Sequence, residues 1–222
     1  MVSAKYRITS YIGYGAFGCV ARALRKSDSA PVAIKKISLS DEQSAKDLER
    51  EVAMLTRMSH NYVLKLEEAF ICPNSEEGPR ALCLVTELGE SNLAAYVQKR
   101  EEAIPEDEAL KIFVQLCLGL NFLHRNKIMH RDIKPENVIA LGNGVFKLVD
   151  FGMAKQIVNS KQCHTKNKGT TIYNAPEAEN GVATLKSDVF SLGLVLYFLL
   201  QGRRLAFFHD SVTQEEIAKE VD

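Results

Sequence analysis

The sequence predicts an α+β fold in two lobes: a small five-stranded β lobe carrying one helix, then a mainly helical second lobe. Three observations predict it. Five short runs rich in β-branched and aromatic residues lie before residue 89, separated by glycine, proline and polar turns. One segment among them, Asp41 to Met58, repeats apolar residues at helical spacing instead. After residue 89 the long apolar stretches have the length of helices. The reading is one domain over residues 1–222, divided into lobes at 6–88 and 89–222.

In chain order, Tyr6 to Ile12 reads as a strand and Val20 to Arg25 as its partner, with Gly13-Tyr14-Gly15-Ala16-Phe17-Gly18 between them. Glycines at this spacing let backbone amides approach a phosphate without an intervening side chain. A dinucleotide-binding loop would need a helix next, and a strand follows instead. Pro31 to Ile37 is the third strand, with Lys35 set between apolar neighbours. In Asp41 to Met58, Ala45, Leu48, Val52 and Leu55 form one stripe, and Glu51 sits at its edge. A carboxylate there needs a cation. Tyr62 to Ile71 and Ala81 to Leu88 complete the strands, around the polar loop Pro73 to Pro79. In the second lobe, Glu106 to Arg125 follows Pro105 as helix opener and is apolar almost all round, which predicts burial. Val145 to Val149 is a short strand. A polar loop follows from Met153 to Thr170, and a further apolar helix runs from Asp188 to near Leu200.

Lysine plus arginine and aspartate plus glutamate both number 28, so the net charge is zero and no overall field draws the chain to nucleic acid or anionic membrane. The apolar segment Val189 to Leu200 is too short to span a bilayer. Five widely spaced cysteines, at 19, 72, 83, 117 and 163, argue for reduced thiols in a cytosolic or nuclear setting and against a zinc site.

Most of the chemistry gathers at His130-Arg131-Asp132-Ile133-Lys134-Pro135-Glu136-Asn137 and Asp150-Phe151-Gly152. Two acids, an amide and a lysine recur within about twenty positions, between segments that read as buried. Magnesium takes oxygen ligands and leaves positions to water and phosphate, so Asp150 and Asn137 are a sufficient protein contribution. Asp132 is then free to accept a hydrogen bond from an attacking hydroxyl, and Lys134 to neutralise a phosphoryl group.

The order His-Arg-Asp, five residues to Asn, then Asp-Phe-Gly resembles the catalytic and metal-binding loops of the eukaryotic protein kinase family. The glycine-rich hairpin, Val32-Ala33-Ile34-Lys35, Ala175-Pro176-Glu177 and Asp188-Val189-Phe190-Ser191-Leu192-Gly193 are similar to further motifs of that family, in the same order. The resemblance runs from about Tyr6 to Gly202, and it implies a kinase that uses ATP and Mg2+. By that resemblance Gly13, Gly15 and Gly18 cover the phosphates, with Ile12, Val20 and Ala33 against the adenine and backbone groups of Glu87 and Leu88 at its edge. Thr86 guards the pocket behind. Lys35 reaches the phosphates and pairs with Glu51, while Asp188 holds the catalytic-loop backbone. Leu55 and Leu66 pack behind Phe151 and His130. Arg131 receives a phosphorylated residue of the following loop, with Thr165 as first candidate and Ser160 as second, and Thr170 bridges Asp132 and Lys134. Lys134-Pro135-Glu136 and Thr170 imply serine/threonine acceptors on protein substrates, and a cytoplasmic setting follows from the thiols.

After Gly202 some twenty residues remain, with a helix expected at Thr213 to Val221, so the second lobe is expected to be short. The family's arginine partner for Glu177 would lie beyond Asp222, and one side of the Val189 to Leu200 helix would be exposed as an apolar patch that invites aggregation or a covering partner. The rival reading is a non-catalytic kinase-like module that binds nucleotide or a partner. The motifs argue for the enzyme, and the ending argues for the module.

Overall fold

The computed structural model describes residues 2–15, 18–38, 56, 58–72, 80–149, 155–156 and 171–201. All but Thr56 and Met58 of the helix expected over Asp41 to Met58, with Glu51 and Leu55 in it, lies outside these residues, as do Asp150, Phe151, Gly152, Ser160, Thr165, Thr170 and the expected helix at Thr213 to Val221. The chain divides into two compact units, Met1–Gly89 and Glu90–Asp222.

The first unit begins with a single turn of helix, α1 (Val2–Lys5), followed by β1 (Tyr6–Gly15), β2 (Gly18–Arg25), β3 (Pro31–Ser38), β4 (Leu66–Cys72) and β5 (Ala81–Glu87). They form one antiparallel sheet in the order β1-β2-β3-β5-β4. Direct cross-strand partners share a face and residues two apart along a strand do too, so register decides what meets what. One face collects Ala21, Ala23, Val32, Ile34, Cys83 and Val85, each at most 1% exposed. Val2 and Tyr6 pack over this face, and Tyr6 stacks on Phe70 with ring centroids 6.2 Å apart. The Tyr6 hydroxyl donates to Glu68 at 2.6 Å, and Lys5 pairs with the same carboxylate. Burial and that carboxylate push the Tyr6 phenol up to about 12. The Lys5 and Tyr6 contacts hold the Glu68 carboxyl below its usual range.

The expected strand Tyr62 to Ile71 starts later, at Leu66. His60 explains the delay: its Nδ1 accepts the Tyr62 N–H at 3.2 Å and its carbonyl accepts the Val63 N–H at 3.3 Å, closing a turn where extension was expected.

The second unit contains β6 (Ser91–Asn92), α2 (Leu93–Gln98), α3 (Glu106–Arg125), β7 (Ile128–Met129), a 3-10 turn (Pro135–Asn137), β8 (Val138–Leu141), β9 (Val145–Leu148), β10 (Lys155–Gln156), a second 3-10 turn (Thr171–Tyr173), α4 (Pro176–Glu179) and α5 (Leu185–Gln201). Asn92 caps α2, its side chain accepting the Ala95 N–H at 2.8 Å. Helix α3 is not buried all round as its composition suggested. It buries Ala109, Ile112, Leu116, Leu120 and Leu123 against α5 and β9, but leaves Leu110, Val114 and Leu118 between 43% and 54% exposed. Composition sets how apolar a helix is, and packing partners set which side is covered. Helix α5 starts at Leu185, three residues before Asp188. Thr184 and Ser187 cap it reciprocally, with the Ser187 hydroxyl accepting the Thr184 N–H at 3.0 Å and the Thr184 carbonyl accepting the Ser187 N–H at 3.1 Å.

Candidate active site

In the first unit the hairpin of β1 and β2 closes on the pair Gly15↔Gly18, and an irregularity between Tyr11 and Gly13 leaves Ile12 as the extra residue. Gly13 pairs with Val20, Val20 with Lys35 and Lys35 with Leu84. Ala33 pairs with Thr86 in the adjacent row of the same face. The register therefore aligns Val20, Ala33, Lys35 and Thr86 on the face opposite the one covered by Val2 and Tyr6. Glu87 pairs with Val32 as the last residue of β5, and Leu88 follows beyond the strand. Tyr14, beside the glycines, is 81% exposed.

In the second unit the loop from His130 to Asn137 is organised by Asp188, 2% exposed at the start of α5. Its Oδ2 accepts the His130 N–H at 2.9 Å and its Oδ1 accepts the Arg131 N–H at 2.8 Å. The Nε2 of His124, at the end of α3, lies 2.8 Å from Oδ2 as a third partner. The carboxylate thus holds two consecutive backbone donors, and the second of them, Arg131, adopts φ +66°, a left-handed conformation unusual for a residue with a Cβ. His130 is fully buried. Its Nε2 lies 2.9 Å from the Val149 carbonyl and its Nδ1 lies 3.3 Å from the Asp132 N–H. The Val149 carbonyl can only accept and the Asp132 amide can only donate, which assigns the proton of a neutral ring to Nε2. The ring joins the end of the β8–β9 hairpin to the Asp132 backbone.

Asp132, Lys134 and Asn137 come together. The Asn137 Nδ2 donates to the Asp132 carbonyl at 2.8 Å and to its Oδ2 at 2.7 Å, and Lys134 Nζ pairs with the same Oδ2 at 3.0 Å. Lys134 and Asp132 side chains are 16% and 12% exposed, so the pair is largely withdrawn from water. Asn137 uses its N–H donors on Asp132, which leaves its Oδ1 without a hydrogen-bond partner among the described residues. That oxygen is the kind of ligand a hard cation takes. Asp132 Oδ1 is likewise left without a partner among the described residues. Lys134, extended at φ −163° and ψ 163°, leads into the 3-10 turn that sets Asn137, and the Asn137 carbonyl accepts the Val149 N–H at 3.0 Å.

The surrounding elements fix this loop through polar side chains that the sequence did not single out. Gln115 of α3 donates to the Gly144 carbonyl and accepts the Phe146 N–H, both at 2.9 Å, bracketing the β8–β9 hairpin. Ser191 lies 2.6 Å from the Tyr173 carbonyl, and Ser187 donates to Glu177 at 2.6 Å. The Glu177 carboxylate therefore has a partner within the described residues, the Ser187 hydroxyl in the first turn of α5. Burial raises the Tyr173 phenol. None of these contacts has a spacing signal, because each joins two different elements rather than positions along one helix or strand. Arg131 and Asp188 line a small cavity with Met129, Asn174, Ala175 and Ser191. Among the described residues no group of three or more histidine, cysteine, aspartate or glutamate residues could hold a metal ion, and no helix is long and apolar enough to cross a membrane.

A five-stranded sheet with a glycine-closed hairpin, and a carboxylate–amide–lysine loop pinned by a buried helix-start aspartate, define an α+β protein of the kinase type. The chain belongs to the protein kinase domain family, whose model matches residues 6–222. It is 36% identical over 203 residues to the serine/threonine-protein kinase fused of Drosophila melanogaster, covering 90% of this chain and 24% of that protein. It is 35% identical over 199 residues to the serine/threonine-protein kinase Nek3 of Mus musculus, covering 87% and 37%, respectively. Against the serine/threonine-protein kinase TIO of Arabidopsis thaliana the identity is 32% over 211 residues, with coverage of 93% and 15%. The chain thus spans well under half the length of these relatives.

Proposed function

We propose that the chain transfers the γ-phosphoryl group of ATP to serine or threonine hydroxyls of protein substrates. The observation that carries the reading is Asp132: its Oδ2 is tied by Asn137 and Lys134, and its Oδ1 remains for a substrate hydroxyl. In this reading Asp132 accepts the hydrogen bond of the acceptor hydroxyl and aligns it, while Lys134 beside it offsets charge on the transferring group. Asn137 Oδ1 and the carboxylate of Asp150 would hold magnesium, which would supply neutralisation of phosphate charge. Gly13, Gly15 and Gly18 cover the phosphates, Ile12, Val20 and Ala33 line the adenine, and backbone groups of Glu87 and Leu88 bond its edge. Lys35 orients the phosphates and Glu51 orients Lys35. Positioning and charge neutralisation carry most of the acceleration in such a reaction. Arg131, beside the small cavity, takes the phosphate of a modified Thr165 or Ser160, and Thr170 bridges Asp132 and Lys134.

The names of the relatives support serine/threonine acceptors, as does Lys134 next to Asp132. The test is magnesium-dependent transfer of labelled phosphate from ATP to a generic serine/threonine protein, with Asp150→Asn and Lys35→Met as controls. Transfer well above both controls is expected. A folded chain with no signal above them would overturn the reading in favour of a nucleotide- or partner-binding module.

A further inference from the structure

Cys72 and Cys83 stand apart from the candidate active site, on the sheet face covered by Val2 and Tyr6. In the β4–β5 ladder Cys83 is opposite Phe70 and Cys72 is opposite Ala81, so the two thiols are diagonal neighbours on one face. Diagonal positions are within reach of each other's side chains. Their sulfurs are 3.2 Å apart, in thiol–thiol contact and about 1.2 Å from the separation of a disulfide. Cys72 is the last residue of β4, where the strand can shift without breaking a central ladder. We propose that Cys72 and Cys83 are an oxidation site at which a hydroperoxide closes a disulfide between the end of β4 and the middle of β5.

The two thiols divide the work. Cys83 is fully buried, and burial with the adjacent Cys72 thiol pushes it up to about 12, so it does not meet the oxidant first. Cys72 is half-buried and takes that part. Its sulfur attacks one peroxide oxygen, the O–O bond breaks, and a sulfenic acid and water or alcohol result. Cys83 sulfur then attacks Cys72 sulfur, the S–O bond breaks, and the hydroxyl leaves as water with the Cys83 proton. Two thiols lose two hydrogens and two electrons, which the hydroperoxide accepts. Lys36, directly opposite Cys83 on β3, favours the thiolate as it forms. A thiolate of high basicity is intrinsically the stronger nucleophile, and contact with its target compensates for its scarcity. Cys19, opposite Lys36 on β2, is one strand further away.

The test treats the whole 222-residue chain with hydrogen peroxide, blocks remaining thiols under denaturing conditions and maps peptides by mass. The expected product is a Cys72 peptide joined to a Cys83 peptide, lighter by two hydrogens and reversed by dithiothreitol. The joined product should persist in Cys19→Ser and be absent from Cys72→Ser. In the oxidised chain the thermal midpoint should rise and return on reduction. Cys72 recovered as sulfinic acid with Cys83 still blockable, or a link from Cys72 to a different cysteine, overturns the proposal. Because mapping is done on the unmutated chain, the result does not depend on any variant folding.

Discussion

In the small sheet, Val20, Lys35 and Leu84 are aligned by the register of two backbone ladders. In the second unit, Asp132 and Asn137 are aligned by side chains that reach across the sequence, above all Asp188, 57 residues beyond Arg131. The difference decides how each region responds to substitution. A ladder is built from many backbone bonds and loses little when one side chain changes, provided the buried face stays filled. A loop hung on one carboxylate loses its conformation with that carboxylate.

The contrast is sharpened first at the loop itself. Asp132→Asn keeps the shape and the partners of Oδ2 but removes the basic oxygen, so phosphate transfer should fall about a thousandfold with the fold intact. Single-turnover rates beside the circular dichroism of the same sample check it, and near-normal rates would break the assignment. Asp188→Ala comes next. It leaves buried the N–H groups of His130 and Arg131 and the ring of His124, so urea unfolding should show a loss of about 3 kcal/mol, with activity lost too.

On the sheet side the effects should be smaller and dependent on pH. Tyr6→Phe removes the hydroxyl bond to Glu68, for a loss of about 1.5 kcal/mol in denaturant unfolding at neutral pH. The folded Tyr6 pKa, about 12, lies above the ordinary tyrosine value of 10.0, so the folded state holds this proton more tightly than the unfolded chain. The stabilisation is therefore complete below pH 10 and is lost as pH rises toward about 12. Unfolding measured across that window should flatten in Tyr6→Phe. The smallest effect is expected back in the second unit, at Gln115→Ala, about 1 kcal/mol for the two bonds that bracket the β8–β9 hairpin, read as a lowered thermal midpoint.

What could be read from sequence follows the same division. Alternation and turn residues marked the strands of the sheet closely, as at Pro31–Ser38 and Ala81–Glu87, because strand periodicity is local. The strand before Leu66 was overextended because the turn there is made by one histidine side chain, which leaves no pattern. Helix α3 was placed correctly from Pro105 and its apolar content, but its exposed ridge at Leu110, Val114 and Leu118 depends on what lies opposite. In the loop, two acids, an amide and a lysine recurring within about twenty positions between apolar segments suggested that Asp132, Lys134, Asn137 and Asp150 share a space, and the structure brings the first three together. The motif resemblance pointed to Asp188 as the holder of that loop. The contributions of His124 and Gln115 were not legible, because nothing in a linear sequence ties position 124 to 188 or position 115 to 146.

The left-handed Arg131 carries a consequence for the order of events during synthesis. A non-glycine residue in that region costs about 1–2 kcal/mol, so the short loop segment alone has no reason to adopt it. The compensating carboxylate is encoded 57 residues later, at the start of α5. A nascent chain emerging from the ribosome N-terminus first can therefore complete the ladders of its sheet while the His130 to Asn137 loop still lacks its anchor. The geometry of the His130 to Asn137 loop is accordingly a late acquisition of folding, available only once Asp188 has been made and α5 has docked.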